Sequence, residues 1–199
     1  MEIKQTYDAL ILAGGRGTRL GGKDKGWVMW SGLPLVEHAL SALSRQEPPP
    51  ARILISANRN VDAYKQTGHT VVTDERPDFV GPLAGVEAGL MRCKRNNLLI
   101  IPCDVPLLPT NLYERLQHSL TDHPESLAAY AVTSEGPQPL CCLVKPAAAA
   151  ALGKQLDAGH GQVLEWMAAV HAAQVMFDDA TAFANFNTPE AFQAQRTPS

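Results

Sequence analysis

Residues 10–26 read LILAGGRGTRLGGKDKG. The apolar run 9–13 is short and stops at Gly14-Gly15, as a buried strand does where it enters a loop. Six glycines follow, and Arg16, Arg19, Lys23 and Lys25 place four cations within ten residues. Glycines allow consecutive backbone N–H groups to close around an anion, and cations beside them complete a triphosphate site.

The chain continues this strand-and-loop opening. Apolar residues at Leu35, Val36, Ala39, Leu40 and Leu43 predict a helix, stopped by Pro48-Pro49-Pro50. A second buried strand is expected at 52–57 and a short third at 71–72. Residues 82–93 read as a helix with Pro at its first position. Residues 98–102 (LLIIP) are the most apolar strand, and Thr110 is expected to cap a helix running to Leu120. This alternation predicts an α/β fold: a Rossmann-like three-layer sandwich with a mostly parallel sheet and helices on both faces. The rest is less regular. Strands are expected at 127–132 and 140–144 around a turn at Glu135-Gly136-Pro137. A helix follows over the alanine tract 147–151, and a last one opens at Thr188-Pro189-Glu190. The 199 residues suit a single domain, with about 6–120 binding the nucleotide and about 121–199 the acceptor.

Composition narrows the partners. A net charge of -3, with no basic stripe, argues against nucleic acid. No apolar run approaches the length of a membrane span, and residues 1–8 lack the pattern of a signal peptide, so a cytoplasmic location is expected. Cys93, Cys103, Cys141 and Cys142 have neither finger nor disulfide spacing and read as buried thiols.

Two phosphate motifs fail on the opening loop. A dinucleotide fingerprint starting at Gly15 meets Leu20 where its third glycine belongs. A Walker A reading of Gly17 to Lys23 meets Asp24 where a magnesium-binding hydroxyl belongs. Because ligands of open α/β sheets sit at the carboxyl ends of the strands, the loops after Ala13, Ala57, Thr73 and Pro102 hold the candidates. Asp104, flanked by Pro102 and Pro106, is a rigidly placed carboxylate suited to Mg2+, a hard cation that takes oxygen ligands. Asn58 and Asp74 follow neighbouring strands and read first as ordinary turn residues, with nucleotide contact as the second reading. Residues 81–85 (GPLAG) open a helix either for an anion or for close packing on the sheet.

The ordered set of motifs resembles the small-molecule nucleotidyltransferases, and within them the molybdenum cofactor guanylyltransferases. It comprises Gly14-Gly15, Arg19-Leu20-Gly21-Gly22, Asp24-Lys25-Gly26, Asn58-Arg59, Asp74, GPLAG at 81–85, PCDVP at 102–106 and NFNTPE at 185–190. The resemblance spans nearly the whole chain. It implies a nucleotide-diphospho-sugar transferase-like fold and transfer of GMP from GTP to molybdopterin with release of pyrophosphate. Mg2+ would be the cofactor, and molybdenum-insertion proteins and apo-molybdoenzymes are partners to look for. Lys25, supported by Arg19, would neutralise the phosphates, with Asp104 holding the metal. Leu12, Ala13, Gly14 and Gly15 would present backbone groups to the nucleotide, joined by Asn58 and Asp74. Gly22, Gly81, Pro82, Leu83, Gln138, Pro139, Asn185 and Asn187 would line the acceptor side; Asn185 and Asn187 could instead cap the last helix. Where the family often carries arginines, this chain has Gly159-His160-Gly161-Gln162. The competing readings are a cytidylyl or sugar-phosphate nucleotidyltransferase on the same fold, and a non-catalytic nucleotide-binding accessory protein.

Overall fold

A computed structural model describes residues 7–14, 24–74, 76 and 81–186. The expectations for Gly15, Arg19, Gly22, Asn187 and the helix at Thr188 lie outside these residues.

Seven strands form one sheet in the order β5-β4-β1-β6-β8-β7-β9. They are β1 Asp8–Leu12, β4 Arg52–Ser56, β5 Thr70–Val72, β6 Leu98–Pro102, β7 Ala128–Thr133, β8 Gly136–Val144 and β9 Ala173–Met176. Strands β1, β4, β5 and β6 pair in parallel, β8 runs antiparallel between β6 and β7, and β9 is parallel to β7. A small antiparallel hairpin, β2 Met29–Trp30 and β3 Leu33–Pro34, lies apart from the sheet. The helices are α1 Leu35–Ser44, α2 Val61–Lys65, α3 Pro82–Arg92, α4 Leu112–Asp122, α5 Ala149–Asp157 and α6 Val163–Ala169.

All five residues of β1 are buried, because helices cover both faces of the sheet. Its side chains alternate: Ala9 and Ile11 pack with Val36, Leu43, Leu112 and Leu116, while Leu10 and Leu12 pack with Leu83, Val86, Leu152 and Trp166. Thus α1, α2 and α4 cover one face and α3, α5 and α6 the other. The chain winds from β1 outward through β4 to β5 and then returns to place β6 on the other flank of β1. This reversal opens a crevice at the carboxyl ends of β1 and β6, the place where such sheets bind ligands.

Several expectations need correction. Thr110 does not cap α4; the helix begins after Asn111, which makes no side-chain cap. The Tyr113 N–H donates to Gln46 Oε1 at 3.0 Å, so a buried side chain from the end of α1 serves the first turn. The turn expected at Glu135-Gly136-Pro137 is tighter and earlier: it lies at Ser134-Glu135, and β8 already begins at Gly136 and extends through Gln138 and Pro139. There the pairing with β7 slips, from Tyr130↔Cys142 to Ala131↔Gln138, a bulge that tolerates proline. The β2–β3 hairpin, α2, α6 and β9 carry no strong periodic signal and were not anticipated. The hairpin turns on Ser31 and Gly32, both in the left-handed region that suits tight turns.

Candidate active site

Gly14 leaves β1 and Asp104 leaves β6, two adjacent parallel strands. The Cys103 N–H donates to the Leu12 carbonyl at 3.1 Å, continuing the pairing one residue beyond the ladder. Asp104 is therefore fixed beside the opening loop by the sheet itself. It is 4% exposed, and its carboxylate accepts a hydrogen bond and an ion pair from Lys25 Nζ. The lysine side chain retains 25% of its exposure, so the pair reaches solvent at the carboxyl ends of β1 and β6. Two residues separated by 79 positions, chosen on type and strand context, meet directly.

Lys25 stands on a single 3-10 turn, Lys25–Trp27, whose cap is Asp24. The sequence marks Asp24 as the residue that breaks a Walker A motif and as part of the Asp24-Lys25-Gly26 run, and gives its side chain no partner. In the structure it accepts from three donors: Gly26 N–H at 3.2 Å, Asn60 Nδ2 at 3.0 Å and Tyr64 Oη at 2.6 Å. Tyr64 is fully buried, and a Cβ on Gly26 would overlap its hydroxyl. Burial, and then the hydrogen bond to Asp24, push the Tyr64 phenol above its ordinary range, so it stays a proton donor. Tyr64 and Asn60 were missed because they sit on a five-residue helix with no motif; the only cue was an aromatic six residues beyond Asn58.

Asn58 and Asp74 come together after β4 and β5: the Asp74 N–H donates to Asn58 Oδ1 at 3.1 Å. Both remain half-buried. The Ala13 and Gly14 N–H groups, expected to face the nucleotide, are instead committed to the Ser56 carbonyl at 3.0 and 2.9 Å. The short β4 end draws them in, so what these residues turn to a ligand is not those two donors.

On the acceptor side, Gly81 (φ 77°) caps α3 and Pro82 occupies its first position. Leu83 is fully buried with Leu10, Leu12 and Val86, so its side chain belongs to the core and cannot line a pocket. Gly85 and Gly89 are where α3 presses on the sheet; side chains there would meet Ser56 and Leu10. Arg76 binds Glu87 on α3 at 2.6 and 2.8 Å and Asp157 at the end of α5 at 2.9 Å. Gln138 and Pro139 lie on β8 just before Cys141, which is close enough to Asp104 for the carboxylate to raise its thiol pKa, after burial as the main cause. Asn185 is exposed, and the next residue, Phe186, donates its N–H to the Asp104 carbonyl at 2.8 Å. Trp30 of the unexpected hairpin packs on Phe186, with ring centroids 4.7 Å apart. The chain near Asn185 is thereby fastened to the backbone of Asp104.

A divalent cation fits this donor set. Asp104 offers hard oxygen in a crevice, and among the described residues no group of three or more His, Cys, Asp or Glu side chains converges. Such a site suits Mg2+, which binds through one or two carboxylates plus substrate phosphates.

The MobA-like NTP transferase domain matches residues 9–174, from within β1 to within β9. The chain belongs to the MobA-like NTP transferase family. It is 44% identical to the molybdenum cofactor guanylyltransferase of Cupriavidus metallidurans, over 94% of this chain and 93% of that protein. Its fold matches that of molybdopterin-guanine dinucleotide biosynthesis protein A from Archaeoglobus fulgidus with a TM-score of 0.75 at 21% identity, covering 94% and 95% of the two chains. The same fold occurs in 2-C-methyl-D-erythritol 4-phosphate cytidylyltransferase from Thermus thermophilus, with a TM-score of 0.65 at 13% identity over 93% and 95%. As in other members of the MobA-like family, the chain's activity is nucleotidyl transfer. Among the described residues no helix is long and apolar enough to cross a membrane.

Proposed function

We propose that this MobA-like chain transfers GMP from GTP to molybdopterin, with Mg2+ held by Asp104. The observation that carries the reading is the Lys25–Asp104 pair at the crevice between β1 and β6. It sets one cation and one metal-binding carboxylate at the end of a glycine-rich loop. The 44% identity to a named guanylyltransferase supports the choice of base and acceptor.

In the reaction, a terminal phosphate oxygen of molybdopterin attacks the α-phosphorus of GTP. A new P–O bond forms, the bond from Pα to the bridging oxygen breaks, and pyrophosphate leaves with that electron pair. Asp104 would hold Mg2+, which would supply positive charge to offset that of the phosphates. Lys25 exchanges its partner, moving from Asp104 to the phosphates, where its charge stabilises the departing pyrophosphate. Arg19 supports it. Leu12, Ala13, Gly14 and Gly15 carry the nucleotide on their backbone, and Asn58 and Asp74 hold its base and ribose end. Gly22, Gly81, Pro82, Gln138, Pro139, Asn185 and Asn187 face the acceptor. No covalent nucleophile is needed, since positioning and electrostatics dominate phosphoryl chemistry. The product would pass to apo-molybdoenzymes in the cytoplasm, with molybdenum-insertion proteins upstream.

The test is pyrophosphate release from GTP, CTP, ATP and UTP with Mg2+, each with and without molybdopterin. Release from GTP alone, dependent on the pterin, is expected. Release from CTP would instead place the chain beside the cytidylyltransferase whose fold it shares, and release from none would leave a nucleotide-binding protein.

A further inference from the structure

Lys25 is held from behind by a cluster that touches neither phosphate nor metal in the reading above. Both carboxylate oxygens of Asp24 are engaged: Oδ1 by Tyr64 Oη and the Gly26 N–H, Oδ2 by Asn60 Nδ2. These contacts span 36 to 40 positions of sequence and fasten the 3-10 turn carrying Lys25 to α2. The contact is close on every side. Gly26 has no Cβ where the Tyr64 hydroxyl lies, and Trp27 packs on the Tyr64 ring at 5.1 Å between centroids. Asn60 adopts the left-handed conformation (φ 49°), which turns the chain out of the Asn58 strand end and into α2. A fully buried tyrosine donating at 2.6 Å to a half-buried carboxylate acts as a strut, since the phenol would be left buried without a partner if Asp24 moved away.

We infer that Tyr64, with Asn60, is a positioning residue for Lys25, acting through Asp24. The strut runs from the loop that carries Asn58 to the turn that carries Lys25. It therefore sets the lysine ammonium against the same frame that holds the base and ribose end of the nucleotide. An ammonium on a four-carbon stem has wide reach; fixing its backbone turn is what restricts it to one place in the crevice. The inference rests on the proposed role of Lys25 in turnover, but its first readout does not.

The test uses the full-length protein in two measurements. In the first, the side-chain ¹³Cε resonance of Lys25, assigned by its loss in Lys25→Ala, is recorded for the ligand-free protein and for Tyr64→Phe. The substitution keeps the ring and its packing and removes only the hydroxyl. The resonance is expected to move toward the position of a solvated lysine as the Asp104 pair loosens. In the second, kcat and KM for GTP are measured for Tyr64→Phe with Lys25 present and with Lys25→Ala. With Lys25 present, kcat is expected to fall by about 10-fold with little change in KM. In the Lys25→Ala background the same change should have no further effect, because the group it positions is gone. Asn60→Gly, which removes the second donor at an exposed position and accepts the left-handed backbone, is expected to move the resonance in the same direction, and it keeps the test alive if Tyr64→Phe does not fold. An unmoved Lys25 resonance, or an equal loss of kcat in both backgrounds, overturns the inference and leaves Tyr64 as core packing. Absence of turnover from every nucleotide would sink the guanylyl-transfer reading instead, while the resonance would still decide the role of Tyr64.

Discussion

Lys25 and Asp104 neutralise each other in the ligand-free site, and each has a different partner during the proposed reaction. Neither residue supports the core. Asp104→Asn should leave stability within about 1 kcal/mol, because Lys25 is part-exposed and can turn to solvent. Turnover should fall at least about 100-fold with the loss of the metal-binding charge. Lys25→Ala should lower kcat/KM by roughly 1,000-fold while the protein remains folded. Steady-state pyrophosphate release, paired with thermal denaturation, checks both. A variant retaining wild-type turnover would remove that residue from the chemistry. Both residues were legible in the sequence, because a lysine in a glycine-rich loop and an aspartate after the most apolar strand carry their context with them. Tyr64 was not, since its hydroxyl acquires meaning only where it meets Asp24.

Among the elements, α3 shows how a motif can be read correctly in place and left open in purpose. The GPLAG stretch does open a helix, with Gly81 as its cap. Gly85 of that stretch and Gly89 one turn further lie against the sheet, which settles their packing use without excluding a ligand at the first turn. A prediction follows from the conflict of two effects at Gly89. Helix propensity alone favours Gly89→Ala by about 1 kcal/mol. The added methyl would press on Leu10, which is fully buried, and overpacking costs about 1–3 kcal/mol. We expect net destabilisation, read as a lower urea midpoint with unchanged slope; a higher midpoint would show that Leu10 yields easily. The start of α4 was misplaced for a related reason. Thr110 has the chemistry of a cap, but the donor at Tyr113 is satisfied by Gln46, whose approach depends on how α1 ends.

For the whole molecule, the single seven-stranded sheet joins the parallel strands β5, β4, β1 and β6 to β8, β7 and β9. Three thiols lie within that continuous core. Cys103, Cys141 and Cys142 are buried, while Cys93 at the end of α3 is half-buried. Burial pushes all four thiols above their ordinary pKa, so less thiolate forms at any given pH. In the native protein at pH 8, iodoacetamide should label Cys93 slowly. The other three should label only as the fold opens globally, as followed by mass spectrometry after timed quenching. Rapid native labelling of Cys141 or Cys142 would mean that the β8 region opens on its own.

The sequence by itself determined the class of fold, because apolar runs that end in polar loops can satisfy their backbone only as covered parallel strands. It also pointed to Lys25 and to the aspartate after β6 for a local reason: residue type and strand context coincide within a few positions. What only the tertiary structure decided were the pairings between distant residues. These are Lys25 with Asp104, Asp24 with Tyr64 and Asn60, Gln46 with the start of α4, and Phe186 with the Asp104 backbone. Each joins groups from separate elements, and a hydrogen bond needs contact within about 3 Å, which no spacing along a chain specifies. The commitment of the Ala13 and Gly14 N–H groups to Ser56 belongs with them: a backbone donor looks free in sequence until the neighbouring strand end arrives.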